Sequence, residues 1–183
     1  MNNRLFTISA LCLLVAALIF SGCDSGPAPT PTPAANDTPG VNVTQADYDA
    51  ALARWKALNV QEYNMEVEYI AFSLHAGTWA LRVTSSDIEP TAFERGGTPT
   101  TPPTTNGQDL RLLTVDGLFN NVARALQDQS QQDYQFRYET RFDPEKGYPT
   151  FFSARSVPNP NTGGGQIADA DYTGTVKSLT VVK

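Results

Sequence analysis

The chain of 183 residues has little cysteine and little histidine, with two of the first and one of the second. Cys12 falls inside an apolar leader segment, so Cys23 alone would remain after removal of the leader, and no disulfide would stabilise the folded part. His75 is predicted to lie in a turn, with neither a cysteine nucleophile nor an evident serine partner. These absences predict a protein that is not an enzyme and has no catalytic residues.

Basic residues are also scarce. The chain has 13 Lys and Arg against 19 Asp and Glu, and its formal net charge is −6. Removal of the leader would also remove Arg4 and make this balance more acidic. Binding to a nucleic-acid backbone needs clustered Lys and Arg that displace counterions. The composition therefore excludes nucleic acid as a partner.

Residues 1–22 have the layout of a signal peptide. Arg4 supplies one positive charge, and residues 5–22 contain no Asp, Glu, Lys or Arg. This run of about 18 residues approaches the length of a membrane-spanning helix, so an uncleaved anchor and an ordinary secretion signal remain as alternatives. The run ends in Phe20-Ser21-Gly22-Cys23, which resembles a lipobox and favours acylation of Cys23 and cleavage before it.

Acylation of Cys23 implies a lipoprotein of the bacterial cell envelope that works outside the cytoplasm and contacts a membrane through its N-terminal lipid anchor. The next residue is Asp24, which resembles the sorting signal that keeps lipoproteins of enteric bacteria at the inner membrane. That rule differs between lineages. Inner-membrane and outer-membrane placement therefore both remain open.

Residues 23–43 are rich in Pro, Thr and Ala. Such a segment cannot bury enough apolar surface to fold and favours extended polyproline II at about 3.1 Å per residue. We expect residues 23–43 to form a tether that holds the next domain clear of the lipid headgroups. Residues 44–183 are long enough for a single domain with a hydrophobic core, interrupted by a Pro/Thr-rich loop at residues 96–108.

Hydrophobic periodicity predicts two amphipathic helices, capped by Thr44 and Thr114. Alternation of apolar and polar residues predicts strands near residues 63–70, 79–83, 88–94, 134–142, 150–157 and 170–182. The apolar helix positions are Tyr48, Leu52, Trp55 and Leu58 in the first helix and Leu118, Phe119, Val122 and Leu126 in the second. Because hairpins link neighbouring strands, we expect an α+β fold, an antiparallel sheet of about five to six strands with both helices on one face.

Two local features of this sheet are predicted from its residues. Arg82 is expected to pair across strands with Glu66 or Glu68. A tight turn is expected at residues 143–147, where Asp143 bonds the neighbouring backbone, Pro144 presets its own φ and Gly147 accepts a positive φ.

This turn, continued by Tyr148 and Pro149, is the most specific part of a resemblance to the bacterial domain-of-unknown-function family 6174. The resemblance covers roughly residues 46–182 and includes the helix start at Thr114. Members of that family are typically secreted or lipid-anchored and have no assigned activity, so the resemblance implies a location and a fold without a mechanism. Many relatives carry a close cysteine pair where this chain has Ala71-Phe72-Ser73, and any role of that pair is absent here.

Two groups of carboxylates are the remaining candidates for chemistry. The first shares one face of a predicted strand, and we interpret it as a solvated outer surface rather than an acid–base pair. The second would suit a hard cation, but calcium needs about six oxygen ligands and no EF-hand spacing is present. The residues are Glu62, Glu66 and Glu68 in the first group and Asp143, Asp169 and Asp171 in the second. We predict no metal site and no cofactor.

The molecular function stays open between three hypotheses. The first is a non-catalytic envelope module that binds a protein or a cell-wall component. The second is a carrier or sensor of a small apolar ligand in a cavity between sheet and helices, and the third is an enzyme inhibitor acting through residues 158–165. An apolar uncovered face of the sheet would mark a docking surface for a macromolecule.

Overall fold

A computed structural model describes residues 40–104, 110–129, 136–157 and 171–182. The helices are α1, Gln45–Ala57, and α2, Val115–Gln129. The strands are β1 Gly40–Val41, β2 Glu62–Ala71, β3 Gly77–Thr84, β4 Ile88–Arg95, β5 Thr98–Pro99, β6 Phe136–Phe142, β7 Pro149–Ser156 and β8 Tyr172–Val182. The α+β class predicted from the sequence is confirmed.

The eight strands form one sheet in the order β1-β6-β7-β8-β2-β3-β4-β5. The prediction of five to six strands was wrong because β1 and β5 have two residues each, too few to show an alternating pattern. The sheet is also not purely antiparallel, since β1 pairs in parallel with β6. Strand β5 lies inside the predicted loop at residues 96–108 and pairs with β4.

Neighbouring strands run in opposite directions over most of the sheet, so each end of the sheet holds the starts of some strands and the ends of others. We name one the Gly40 end; it carries Gly40, Ala71, Gly77, Arg95, Ser156 and Tyr172. We name the other the Glu62 end; it carries Glu62, Thr84, Ile88, Phe142, Pro149 and Val182. The chain enters the described domain at the Gly40 end.

Both helices pack on the same face of the sheet, as the sequence predicted. One buried cluster joins Trp55 of α1 to β2 and β3, and a second joins Val122 of α2 to Phe152 of β7. The ring of Trp55 meets Tyr63 edge-on with centroids 5.7 Å apart. The two clusters together form the hydrophobic core, which lies between the helices and the sheet.

Helix α1 begins with the predicted cap and ends earlier than predicted. The hydroxyl of Thr44 accepts a hydrogen bond from the Asp47 amide at 3.2 Å, and the Asp47 carboxylate accepts one from the Thr44 amide at 2.9 Å. This reciprocal pair satisfies two amides at the helix start. Leu58, which was assigned to the apolar stripe, lies after the last helical residue, Ala57, and is 46% exposed.

The uncovered face of the sheet is polar. Arg82 pairs with Glu62 at 2.7 Å, so the predicted pairing with Glu66 or Glu68 was wrong. The register places Arg82 opposite Asn64, with Glu62 as a diagonal neighbour on the same face. Glu68 instead contacts Lys177 of β8 at 2.6 Å. A large apolar docking surface on this face is therefore not observed among the described residues.

The folded domain begins before the boundary predicted at Thr44. Gly40 pairs with Arg137 of β6, and the Asn42 side chain donates to the Thr140 carbonyl at 3.0 Å and accepts from the Thr140 amide at 2.7 Å. Nothing in the sequence indicated this strand, because residues 40–43 have the same composition as the predicted tether apart from two valines. Residues 1–39, which include the predicted signal peptide, Cys23 and Asp24, lie outside the described residues.

Within the described ranges, neither helix combines the length and the apolar character that a bilayer crossing needs. The predicted inhibitor loop at residues 158–165 also lies outside the described residues.

Candidate ligand-binding cleft

A cleft of about 180 Å³ opens between α2 and the Gly40 end of the sheet. We name it the Gly40 cleft. Its apolar lining comes from Leu113 before α2, Leu118 of α2 and Phe152 of β7, with Leu112 at the rim. Its polar lining comes from Tyr69, Asn121, Arg124 and Tyr172. The cleft therefore has an apolar floor and polar groups around it.

A glycine in the floor makes room for this cleft. Gly174 of β8 lies opposite Phe152 of β7 and Tyr69 of β2, so all three share the helix-covered face. A methyl group at Gly174 would lie 3.3 Å from a terminal carbon of Leu118, which is tighter than ordinary contact. Glycine here lets α2 approach the sheet and leaves a gap in the layer of side chains.

Two tyrosines form the side of the cleft that faces β2 and β8. The ring centroids of Tyr69 and Tyr172 lie 6.3 Å apart, and Phe152 lies 5.6 Å from Tyr172. Burial raises the pKa of Tyr172 to about 12, with Tyr69 adding to the effect and Arg124 opposing it. Burial also raises the pKa of Tyr69. Both hydroxyls therefore stay protonated at neutral pH and remain available as hydrogen-bond donors and acceptors.

Helix α2 adds an amide and a cation. Asn121 and Arg124 are three residues apart and so project from the same side of the helix; Asn121 is buried and Arg124 is exposed. The lining contains no carboxylate, histidine or cysteine among the described residues. The arrangement suits the binding of a small molecule with an apolar body and a polar or anionic end.

A second cleft of about 180 Å³ lies at the Glu62 end, and we name it the Glu62 cleft. Two of its polar side chains bond to the local backbone: Thr84 accepts from the Asp87 amide at 3.0 Å, and Thr114 accepts from the Gly117 amide at 3.2 Å. Gly117 has no space for a side chain, because a methyl group there would overlap the Arg111 carbonyl.

A family model for a family of unknown function matches residues 47–180, which run from α1 through most of β8. The chain belongs to DUF6174. No curated protein and no solved structure matches it. The matched residues include the whole lining of the Gly40 cleft, so the cleft belongs to the DUF6174 domain itself.

The turn that carries the family resemblance lies at the Glu62 end of the DUF6174 domain, away from the Gly40 cleft. One oxygen of Asp143 accepts hydrogen bonds from the amides of Glu145 and Lys146 at 3.0 and 2.6 Å. Gly147 has a φ of 84°, and a methyl group there would overlap the Ala51 carbonyl of α1. The turn is therefore held by its own backbone and by close packing against α1.

The residues that follow complete this packing. Tyr148 is buried and meets Trp55 edge-on at 5.9 Å, and Pro149 is the buried first residue of β7. Pro144 is exposed at the outside of the turn. The geometry of residues 143–149 is that of a structural element.

The carboxylates considered for chemistry do not form a site. Asp171 accepts a hydrogen bond from the Ser156 amide at 2.6 Å at the Gly40 end, whereas Asp143 lies beyond the other end of β7. A strand of that length spans roughly 25 Å, so Asp143 and Asp171 cannot share a cation. Asp169 lies outside the described residues, and no group of three or more metal-binding side chains occurs within them.

His75 lies in the β2–β3 turn, where its carbonyl accepts a hydrogen bond from the indole of Trp79 at 2.9 Å. The sequence analysis placed this residue in a turn without a catalytic role, and it predicted a cavity between sheet and helices without giving its position. One available signal was Asn121, a polar residue that falls three positions after Leu118 on the apolar stripe of α2. A polar residue in a buried stripe is often in contact with a cavity or a ligand.

Proposed function

We propose that this chain is a non-catalytic binding protein of the bacterial cell envelope, anchored through an acylated Cys23, which holds a small ligand in the Gly40 cleft. The observation that carries the ligand-binding part is the apolar floor of Phe152 and Leu118 beside two protonated tyrosine hydroxyls. The anchoring part rests on the uncharged run at residues 5–22 and the lipobox-like ending at Cys23.

The size of the Gly40 cleft limits the ligand. Apolar cavities of about 150 Å³ accept a molecule the size of benzene, and the cleft measures about 180 Å³. A ligand with one aromatic ring or a short branched chain fits this volume. Arg124 at the rim favours a carboxylate or another anion at the end of the ligand that faces solvent.

A polar uncovered face favours this proposal over a macromolecular partner on the sheet. The pairs Arg82–Glu62 and Lys177–Glu68 occupy that face. Surfaces that dock proteins usually present a contiguous apolar centre. The Gly40 cleft offers apolar surface together with convergent polar groups.

Three probes that differ only in their polar end test the cleft: 3-phenylpropionate, 3-phenylpropanol and 3-phenylpropylamine. We expect the carboxylate to bind most tightly and the amine most weakly, with amide chemical-shift changes in a two-dimensional NMR titration centred on Gly174 and Asn121. Shift changes elsewhere, or equal affinities for the three probes, would contradict the assigned polarity.

A matched pair of variants tests the location. Gly174→Val fills the floor of the cleft, so we expect the binding of 3-phenylpropionate to fall at least about tenfold, as for the loss of a well-packed apolar contact. Thr175→Val changes the next residue, which faces the opposite side of the sheet, and should leave binding unchanged. Circular dichroism of both variants verifies that the fold is kept.

The anchor is tested separately by the intact mass of the protein isolated from its native host. We expect a chain that begins at Cys23 and carries a diacylglycerol thioether. An unmodified sulfur at Cys23 would contradict the anchoring proposal and would leave the ligand proposal to its own titration. Membrane fractionation of the same cells then distinguishes inner-membrane from outer-membrane placement and so tests the role proposed for Asp24.

A further inference from the structure

The hairpin between β2 and β3 exposes three large apolar side chains at the Gly40 end. Ile70 is 58% exposed, Phe72 83% and Leu74 74%, and these are the most exposed large apolar residues in the described part of the chain. We name these three residues the hairpin tip. Their exposure needs an explanation, because neighbouring apolar side chains in contact with water lower solubility unless a partner covers them.

The fold holds the hairpin tip in a defined shape. The Ser73 hydroxyl accepts from the His75 amide at 3.1 Å, and the Ser73 carbonyl accepts from the Ala76 amide at 3.2 Å. The guanidinium of Arg95 on the neighbouring strand β4 donates to the Leu74 carbonyl. The apolar side chains are therefore presented on a braced turn.

The chain itself indicates what lies opposite the hairpin tip. Gly40, where the chain enters the domain, is at the same end of the sheet, and 16 residues separate it from Cys23. These residues reach at most about 60 Å, so an acylated Cys23 keeps the Gly40 end within that distance of the bilayer. A short tether raises the effective concentration of a weak second contact with the same surface.

The charges at this end agree with a phospholipid surface. In a chain of net charge −6, the exposed Arg155 lies near the Gly40 end, and Arg95 lies beside Leu74 with Glu94 as its neighbour in β4. Two further carboxylates at this end, Asp128 and Asp171, accept hydrogen bonds from Tyr138 and Ser156. Apolar side chains flanked by arginine are typical of segments that lie in the headgroup region.

We infer that the hairpin tip inserts into the interfacial region of the bilayer that carries the lipid anchor, with the arginines against lipid phosphates. The inference rests on the proposed acylation of Cys23. It replaces the expectation of a domain held clear of the headgroups, because the tether sets an upper limit on the distance and does not prevent contact.

The test uses the mature acylated protein in vesicles of phosphatidylethanolamine and phosphatidylglycerol. The photo-crosslinking residue p-benzoylphenylalanine replaces Phe72 in one variant and Leu58 in the control. Leu58 is also exposed but follows α1 near the Glu62 end. We expect lipid adducts from position 72 at about ten times the yield from position 58, since partition of an apolar side chain into lipid is worth about one decade. Equal yields, or adducts only with protein, would overturn the inference.

A second arm separates the hairpin tip from the anchor. Intact mass is measured before irradiation; if Cys23 carries no lipid, its thiol is coupled to a maleimide lipid, which restores the same tether and allows the same crosslinking comparison. The absence of native lipid then counts against the proposed anchor, while the adduct ratio still decides the hairpin tip.

A third arm uses the mature chain with Cys23→Ser, which has no lipid attachment. We expect Phe72→Ser with Leu74→Ser to reduce its co-sedimentation with the same vesicles severalfold. The matched control, Leu58→Ser with Val182→Ser, removes two exposed apolar side chains from the other end and should have no effect. Equal losses in the two double variants would contradict a localised insertion.

Discussion

The Glu62 end of the sheet holds its polar side chains in turns and helix caps, whereas the Gly40 end leaves apolar side chains and arginines exposed. Both ends contain a cleft of about 180 Å³, and the Gly40 end has a further open pocket of about 480 Å³ beside Leu74 and Arg95. Polar side chains bond to the backbone at both ends, as Asp143 and Thr114 do at the first and Asp171 and Ser73 at the second. The Gly40 end differs because Tyr69 and Arg124 also line an apolar opening there. We propose that, within one small domain, the second end is the one that contacts other molecules.

The largest effect should come from the core beneath the Gly40 cleft. Phe152→Ala removes a side chain that is 1% exposed, and we expect a loss of about 4 kcal/mol in the free energy of unfolding, measured in urea. Phe151→Ala is the control, since Phe151 lies on the uncovered face against Arg141 at 4.1 Å; we expect a loss below about 1 kcal/mol. Similar losses would show that the two faces do not differ as described.

The next effect tests the close packing at the Glu62 end. Gly147→Ala combines a positive φ with overlap against the Ala51 carbonyl, and we expect it to destabilise the fold by about 3 kcal/mol. Gly96→Ala has a φ of 59° but no atom within 4 Å of the added methyl group, so only the backbone strain of about 1 kcal/mol remains. Binding of 3-phenylpropionate by the Gly147→Ala protein should be unchanged below its unfolding midpoint. Equal destabilisation by the two variants would exclude the proposed contact between the turn and α1.

A smaller effect concerns alkaline pH. Burial raises the pKa of Tyr63, near the Glu62 end, and of Tyr172, at the Gly40 end, to about 12 in each case. In the unfolded chain these phenols have their ordinary pKa of 10, whereas in the folded chain their pKa is about 12. Their contribution to stability is therefore complete below pH 10 and is lost as the pH rises to about 12.

In each of the variants Tyr63→Phe and Tyr172→Phe, the free energy of unfolding should fall less steeply between pH 10 and 12. The change in slope should correspond to about one proton per molecule. Only Tyr63→Phe should also lose about 1 kcal/mol at pH 7, because the Tyr63 hydroxyl accepts a hydrogen bond from the Val115 amide at 3.1 Å. Urea unfolding between pH 7 and 12 gives both quantities. An unchanged pH slope in Tyr172→Phe would contradict the burial of that hydroxyl.

The smallest effect should come from the hairpin tip. Phe72→Ser alters a side chain that is 83% exposed, so the free energy of unfolding in solution should change by less than about 0.5 kcal/mol. A loss of several kcal/mol would place Phe72 in the core and remove the contrast between the two ends.

The sequence predicted those parts of the fold that depend on neighbouring residues. The Thr44 and Thr114 caps, the β2–β3 hairpin and the turn at Asp143 each involve a few consecutive residues with a specific backbone preference. Parts that depend on distant residues were missed. Strand β1 forms only because Gly40 and Asn42 meet β6 about a hundred positions later. Arg82 pairs with Glu62, although the register makes Glu62 and Glu66 both diagonal neighbours of Arg82.

The position of the Gly40 cleft was missed for the same reason. Gly174 and Leu118 are far apart in sequence, and neither residue alone indicates a gap between helix and sheet. The sequence allowed a cavity between helices and sheet to be proposed in general terms. It could not give the position of the cavity, because that position depends on where α2 crosses β7 and β8. Cys23 and Asp24 lie outside the described residues, and their roles remain predictions from the leader alone.

Strand β1 has a mechanical consequence if Cys23 is the point of attachment. A pull from the membrane would reach the domain at Gly40 and act along β1, whose hydrogen bonds to β6 lie across the direction of force. Such bonds are loaded in shear and must give way together, and the two hydrogen bonds between Asn42 and Thr140 reinforce them. The short parallel strand would then act as a clamp that keeps tension on the anchor from peeling the sheet open.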